Sequence, residues 1–146
     1  EQLHMLENLR ILRMPWNRLL AISPDIDALP QLVILDLSHN RITDIPNTVS
    51  RLTRLSLLSL RYNNITTLPS SLFRLTQIQQ LQVTGNRIDA IPTFIGDLAG
   101  LRELLVDSNM IMSLPLELGK LTCLEQLNVD GNPGNLLPEG FAEKGM

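Results

Sequence analysis

The chain has 146 residues, enough for one domain, and a formal net charge of −3 that is too small to imply a partner. Residues 1–73 carry seven Arg against six Asp/Glu and residues 74–146 five Lys/Arg against nine Asp/Glu, so no basic stripe runs the length and nucleic acid is excluded as the main partner. The one cysteine, Cys123, rules out a disulfide framework, and no apolar run reaches the ~18 residues of a membrane span, so membrane insertion is not expected.

Taken in order, Glu1 to Asn8 read as the tail of a preceding unit or an upstream cap, with Leu3 and Leu6 standing where Val49 and Leu52 stand further on. Six units then start at residues 9, 32, 55, 78, 101 and 124, a constant 23 apart and without insertions. Positions 1, 4 and 6 of each unit are aliphatic, as in Leu32, Leu35 and Leu37. Alternation over positions 4 to 6 predicts a short strand with one buried face. Position 9 is Asn in every unit: Asn17, Asn40, Asn63, Asn86, Asn109 and Asn132. Asn bonds neighbouring main chain through its side chain, so this column predicts a structural ladder between successive turns.

Positions 11 and 14 are aliphatic again, as in Ile42 and Ile45. Position 15 is Pro in five units and is displaced in the first, which reads Ser23-Pro24. Proline there stops the strand and opens a short helical segment. Positions 18 and 21, such as Val49 and Leu52, close each layer. Aromatics make up only 3%, and such a core of medium-sized aliphatics suits stacked layers. The last unit departs, with Gly134 at position 11 and Lys144 at position 21. Residues 133–146 read as a C-terminal cap, with Leu136, Leu137 and Phe141 covering the end.

The repeated pattern LxxLxLxxNxIxxIPxxΦxxLxx resembles the leucine-rich repeat family from Leu3 to about Pro138. Its 23-residue period with Pro at position 15 resembles the intracellular subclass of Ras-suppressor and Scribble-like proteins. The resemblance implies an α/β fold: a right-handed solenoid with a parallel concave sheet and short helical or 3-10 convex segments, here one domain over residues 1–146. It also implies a non-catalytic, cytoplasmic module that binds a protein.

A search for chemistry finds little. His4 and His39 belong to different parts of different units, and no His is placed near Cys123. Neither a glycine-rich phosphate loop nor metal-ligand spacing is present, so no catalytic residue, metal or cofactor is expected. Asp107 and Asp130 share position 7 on neighbouring units, and read best as two solvated acids.

Positions 3, 5, 7 and 8 are expected to face outward on the concave side. In the first three units they hold aliphatic residues at position 3, Arg13 and Arg61, and an aromatic stripe at position 8. Later units turn small, polar and acidic. Trp, Tyr and Arg often dominate protein interfaces, so Ile11, Arg13, Trp16, Ile34, His39, Leu57, Arg61 and Tyr62 are the expected partner site. The competing reading has Trp16 folding back over the first layer. Lesser features are an edge row of Arg18, Arg41 and Arg87, an apolar spot at Met110 and Met112, and an exposed Phe94 on the convex side. The alternatives to a scaffolding module are a unit that self-associates through its open repeat ends and a targeting domain of a larger signalling enzyme.

Overall fold

The computed structural model describes residues 3–136. Six three-residue strands form one parallel sheet in sequence order: β1 (Ile11–Arg13), β2 (Ile34–Asp36), β3 (Leu57–Ser59), β4 (Gln80–Gln82), β5 (Glu103–Leu105) and β6 (Gln126–Asn128). Register follows the repeat, pairing Ile11 with Ile34 and Ile34 with Leu57. The strands span positions 3 to 5, one residue earlier than the aliphatic alternation predicts. The hydrogen-bonded ladder nevertheless runs on through position 6, where Leu37 N–H donates to Ser59 O at 2.9 Å. It continues to position 8, where His39 N–H donates to Arg61 O at 2.8 Å. Between those points the chain bends away from the extended conformation.

The bend has a fixed backbone signature. Position 8 adopts a left-handed conformation in all six units: Trp16 (φ 58°), His39 (54°), Tyr62 (54°), Gly85 (69°), Ser108 (54°) and Gly131 (67°). The following Asn locks the bend from inside. Asn63 donates to Leu60 O and Arg61 O of its own unit and to Leu37 O of the unit before, and accepts from Ile42 N–H at 2.9 Å. Asn40, Asn86 and Asn132 make the same four kinds of bond, and so does Asn109. Among the described residues Asn17 bonds Met14 O and Pro15 O and stands exposed, without the bond to a preceding unit that the other five make. The buried peptide groups of each bend are thereby satisfied.

The convex side consists of 3-10 segments: η1 (Leu3–Met5), η2 (Pro24–Ala28), η3 (Asn47–Arg51), η4 (Ser70–Arg74), η5 (Thr93–Asp97) and η6 (Leu116–Lys120). Proline sits just before η3 to η6 in an extended conformation, for example Pro46 at φ −69°, ψ 149°. In η2 the proline is the first helical residue, and Ser23 caps it by accepting from Asp25 N–H at 3.2 Å. The displaced proline of the first unit therefore still starts its helical turn.

One hydrophobic core runs along the stack. Positions 1, 4, 6 and 11 are buried in the middle units, as in Leu55, Leu58, Leu60 and Ile65. Phe73 adds bulk from η4 and is 2% exposed. The outer layers are looser, with Leu9, Leu12 and Leu19 at one end and Leu114, Leu118 and Leu124 at the other only partly buried. Gly134 replaces an aliphatic residue because the chain presses on the turn below. A Cβ there would lie 2.2 Å from Met112 O. Of the expected cap, Leu136 is buried, while Leu137, Phe141 and Lys144 lie outside the described residues. Among the described residues, no helix is long and apolar enough to cross a membrane.

Candidate functional site

The 23-residue register sets position 8 of one unit beside position 8 of the next, at the roughly 4.8 Å spacing of neighbouring strands. That interval suits flat rings. Trp16 and His39 stack with centroids 3.7 Å apart and planes 8° from parallel. His39 and Tyr62 stack at 4.6 Å and 24°. The column ends on Gly85, where a Cβ would stand only 2.4 Å from Tyr62 Cδ1. Trp16 is 77% exposed and Tyr62 45% exposed, so Trp16 does not fold back over the first layer.

Left-handed backbone costs a non-glycine residue about 1–2 kcal/mol, hence about 3–6 kcal/mol for three. Two stacked aromatic pairs return about 1–3 kcal/mol beyond what burying their faces contributes. Glycine fits the same position in the fourth and sixth units. Ser108 takes it in the fifth at φ 54°, so the left-handed backbone belongs to the bend of every unit and the exposed rings are what set the first three apart.

Arginine flanks the column. The Arg61 guanidinium carbon lies 5.8 Å from the Tyr62 ring centroid, at the outer range of a cation–π contact. Its Nε is buried and has no hydrogen-bond partner among the described residues. Arg13 is exposed on β1. Ile11 is 49% exposed, whereas Ile34 and Leu57 are half-buried because each is flanked on both sides by a neighbouring strand. The aliphatic stripe is thus less open than expected.

Positions 5 and 7 also correct the expected outward map. Ser38, Ser59 and Thr84 are buried, forming the floor of the curved face. Asp36 turns back to accept from Ser38 N–H at 3.0 Å. In the later units Gln82 donates to Glu103 at 2.6 Å and Thr84 to Asp107 at 2.7 Å. Asp130 is exposed. Asp107 is therefore half-buried and engaged with the fourth unit, unlike the solvated acid expected there, whereas Asp130 is open to solvent.

Elsewhere the edge residues Arg18, Arg41, Arg87, Met110 and Met112 are exposed. Phe94 is half exposed on η5. His4 lies on η1 and Cys123 is an exposed free thiol. Among the described residues, no group of three or more His, Cys, Asp or Glu is placed to hold a metal. The left-handed backbone of position 8 was not read from the sequence. Its one signal is Gly85 and Gly131 in an otherwise bulky column.

The leucine rich repeat family model matches residues 7–65 and 30–88. The chain belongs to the leucine-rich repeat family. This leucine-rich repeat chain resembles a leucine-rich repeat protein of Leptospira interrogans at 34% identity and TM-score 0.91, covering 94% of the chain and 35% of that protein. It is 27% identical, at TM-score 0.80, to the plant peptide hormone receptor RGFR1 in complex with RGF2, covering 88% of the chain and 22% of the receptor. Against the Arabidopsis receptor kinase HAESA ectodomain in complex with an IDA peptide hormone the values are 28% and 0.78, with 88% and 22% covered. The repeats thus span about a third or less of these proteins. No curated protein matches the chain. Leucine-rich repeat domains are in general protein-interaction modules without catalytic activity of their own.

Proposed function

We propose that this domain is a cytoplasmic scaffolding module that binds a protein partner on its concave face. The observation that carries the reading is the exposed column Trp16–His39–Tyr62, three stacked rings left open to solvent. Ile11, Arg13, Ile34, Leu57 and Arg61 surround it and complete the partner site. The domain comprises the six units starting at residues 9, 32, 55, 78, 101 and 124, flanked by the half-unit 1–8 and the cap 133–146. Placement in the cytoplasm rests on the single cysteine and on the 23-residue subclass pattern.

Size sets the expected strength. Six three-residue strands at about 4.8 Å spacing give a face roughly 24 Å by 10 Å, about 240 Å², short of the about 800 Å² per partner of a standard interface. Affinity from these units is modest unless edge residues join. The test is affinity capture from the source cell's cytosol with the native chain and with Trp16→Ala/Tyr62→Ala. The reading expects a partner bound by the native chain and lost by the folded variant. Equal capture by both would overturn it.

A second reading, self-association, is favoured by Ile11, Met14 and Leu20, exposed together in the first unit. Sedimentation over a range of concentrations decides it: a mass that rises with concentration supports self-association, and a constant monomer mass removes it. A targeting role within a larger signalling enzyme is compatible with either reading.

A further inference from the structure

The concave face is electrically polarised along its length. On the first three strands and their exits stand Arg13 and Arg61, opposed only by Asp36. On the last two units the charged residues at concave positions are Glu103, Asp107 and Asp130, with no cation among them; Glu103 accepts from Gln82 and Asp107 from Thr84, neutral donors that leave the negative charge in place. Among the described residues, none of these six enters a salt bridge; the two ion pairs, Arg51–Asp27 and Arg102–Glu125, involve other groups. The imbalance repeats that of the whole chain, where the first half is +1 and the second −4. Arg61 adds a second observation, since its buried Nε has no acceptor among the described residues. The ring N–H and O–H groups of Trp16, His39 and Tyr62 make no side-chain hydrogen bond there either. The first three units therefore offer donors and positive charge around apolar rings, and the last two offer carboxylates.

We propose, resting on the concave-face reading, that the partner presents an extended, charge-polarised segment. Its acidic end, next to an apolar or aromatic residue, lies over Arg13, Arg61 and the ring column. Its basic end lies over Glu103, Asp107 and Asp130. The two groups of charges sit on a face roughly 24 Å long at about 4.8 Å per strand, which about seven or eight extended residues span. Complementary charge at both ends fixes which way the segment runs, because the reversed orientation sets like charges against each other.

Selection from a displayed library of random peptides tests this, with peptides about twelve residues long so that they exceed the face. The native chain is expected to enrich peptides with acidic residues toward one end and basic residues toward the other. A selected peptide is expected to weaken at least about tenfold on Arg13→Gln/Arg61→Gln, and again on Asp107→Asn/Asp130→Asn, and to weaken steeply as salt rises. Circular dichroism checks that each variant is folded, and the surface pair Asp107→Asn/Asp130→Asn remains informative if the arginine pair is not. Selected peptides without charge polarity, or insensitive to both charge pairs, overturn the proposal. If those peptides still need Trp16 and Tyr62, the concave-face reading survives and only the polarity fails. If they need neither, both fall. A library from which nothing is enriched also overturns the proposal.

Discussion

The ring of Tyr62 lies over the α-carbon of Gly85, so close that a Cβ on residue 85 would meet Tyr62 Cδ1 at 2.4 Å and Cε1 at 2.7 Å. Glycine in the fourth unit serves two ends at once. It adopts φ 69° without the penalty of a side chain, and it leaves the space into which the third unit's ring leans. The aromatic column stops there for a steric reason.

Gly85→Ala should therefore destabilise the domain by about 1–3 kcal/mol, combining left-handed strain with the clash. Removing the ring should relieve part of that. In a double-mutant cycle, Gly85→Ala in a Tyr62→Ala background should cost less than in the native chain by about 1 kcal/mol. Urea denaturation followed by circular dichroism measures all four corners. Strict additivity would mean that the ring and the glycine do not touch.

Glycine at position 8 of the first three units should be tolerated. Tyr62→Gly loses stacking worth about 0.5–1.5 kcal/mol and relieves strain of about 1–2 kcal/mol. The net change should fall within about 1 kcal/mol of zero. Leu58→Ala, four residues earlier in the fully buried layer, should cost about 2–5 kcal/mol. The contrast between the two, read from denaturation midpoints, separates a residue kept for its surface from one kept for its packing. A Tyr62→Gly loss as large as that of Leu58→Ala would remove the argument that the column serves binding.

The asparagines should differ sharply by place. Asn63→Ala strips two inter-unit bonds and leaves buried Ile42 N–H without a partner, while Leu37 C=O keeps Asn40 Nδ2 at 3.0 Å. A buried orphan costs about 1–3 kcal/mol, and that is the loss expected for the variant. Asn17→Ala removes only two local bonds from an exposed side chain and should cost less than about 1 kcal/mol. Thermal melts of the two variants provide the comparison. Equal losses would contradict the inter-unit bonding.

The fold was legible because its period is linear. Aliphatic residues at positions 1, 4, 6 and 11 mark one buried layer per turn, and the strict 23-residue spacing dictates a parallel register without any long-range guess. The prolines located the convex turns, even in the first unit, where Pro24 moves inside η2. Two things were not legible. Residue type does not reveal φ when Trp16, His39 and Tyr62 occupy a left-handed site, because only glycine advertises it. Nor does alternation alone reveal depth. Ser38, Ser59 and Thr84 alternate outward yet are buried, since closely spaced strands shade small side chains. The aromatic stripe could be read as a column of residues, but its stacking and its abrupt end needed the positions of the rings against Gly85.

Protection against hydrogen exchange should follow the stack. Each layer touches mainly its neighbours, and the end layers hold partly buried Leu9, Leu12, Leu118 and Leu124. Amides of β3 and β4 should exchange slowest and those of β1 and β6 sooner. Middle units opening first would contradict one continuous core.

The most direct test of the central claim pairs stability with affinity in one variant. Tyr62→Gly should unfold within about 1 kcal/mol of the native chain. It should also bind the captured protein partner at least about tenfold more weakly, as expected of a truncated aromatic anchor. Unchanged affinity in this folded variant would contradict the account and would place the partner away from the concave aromatic column.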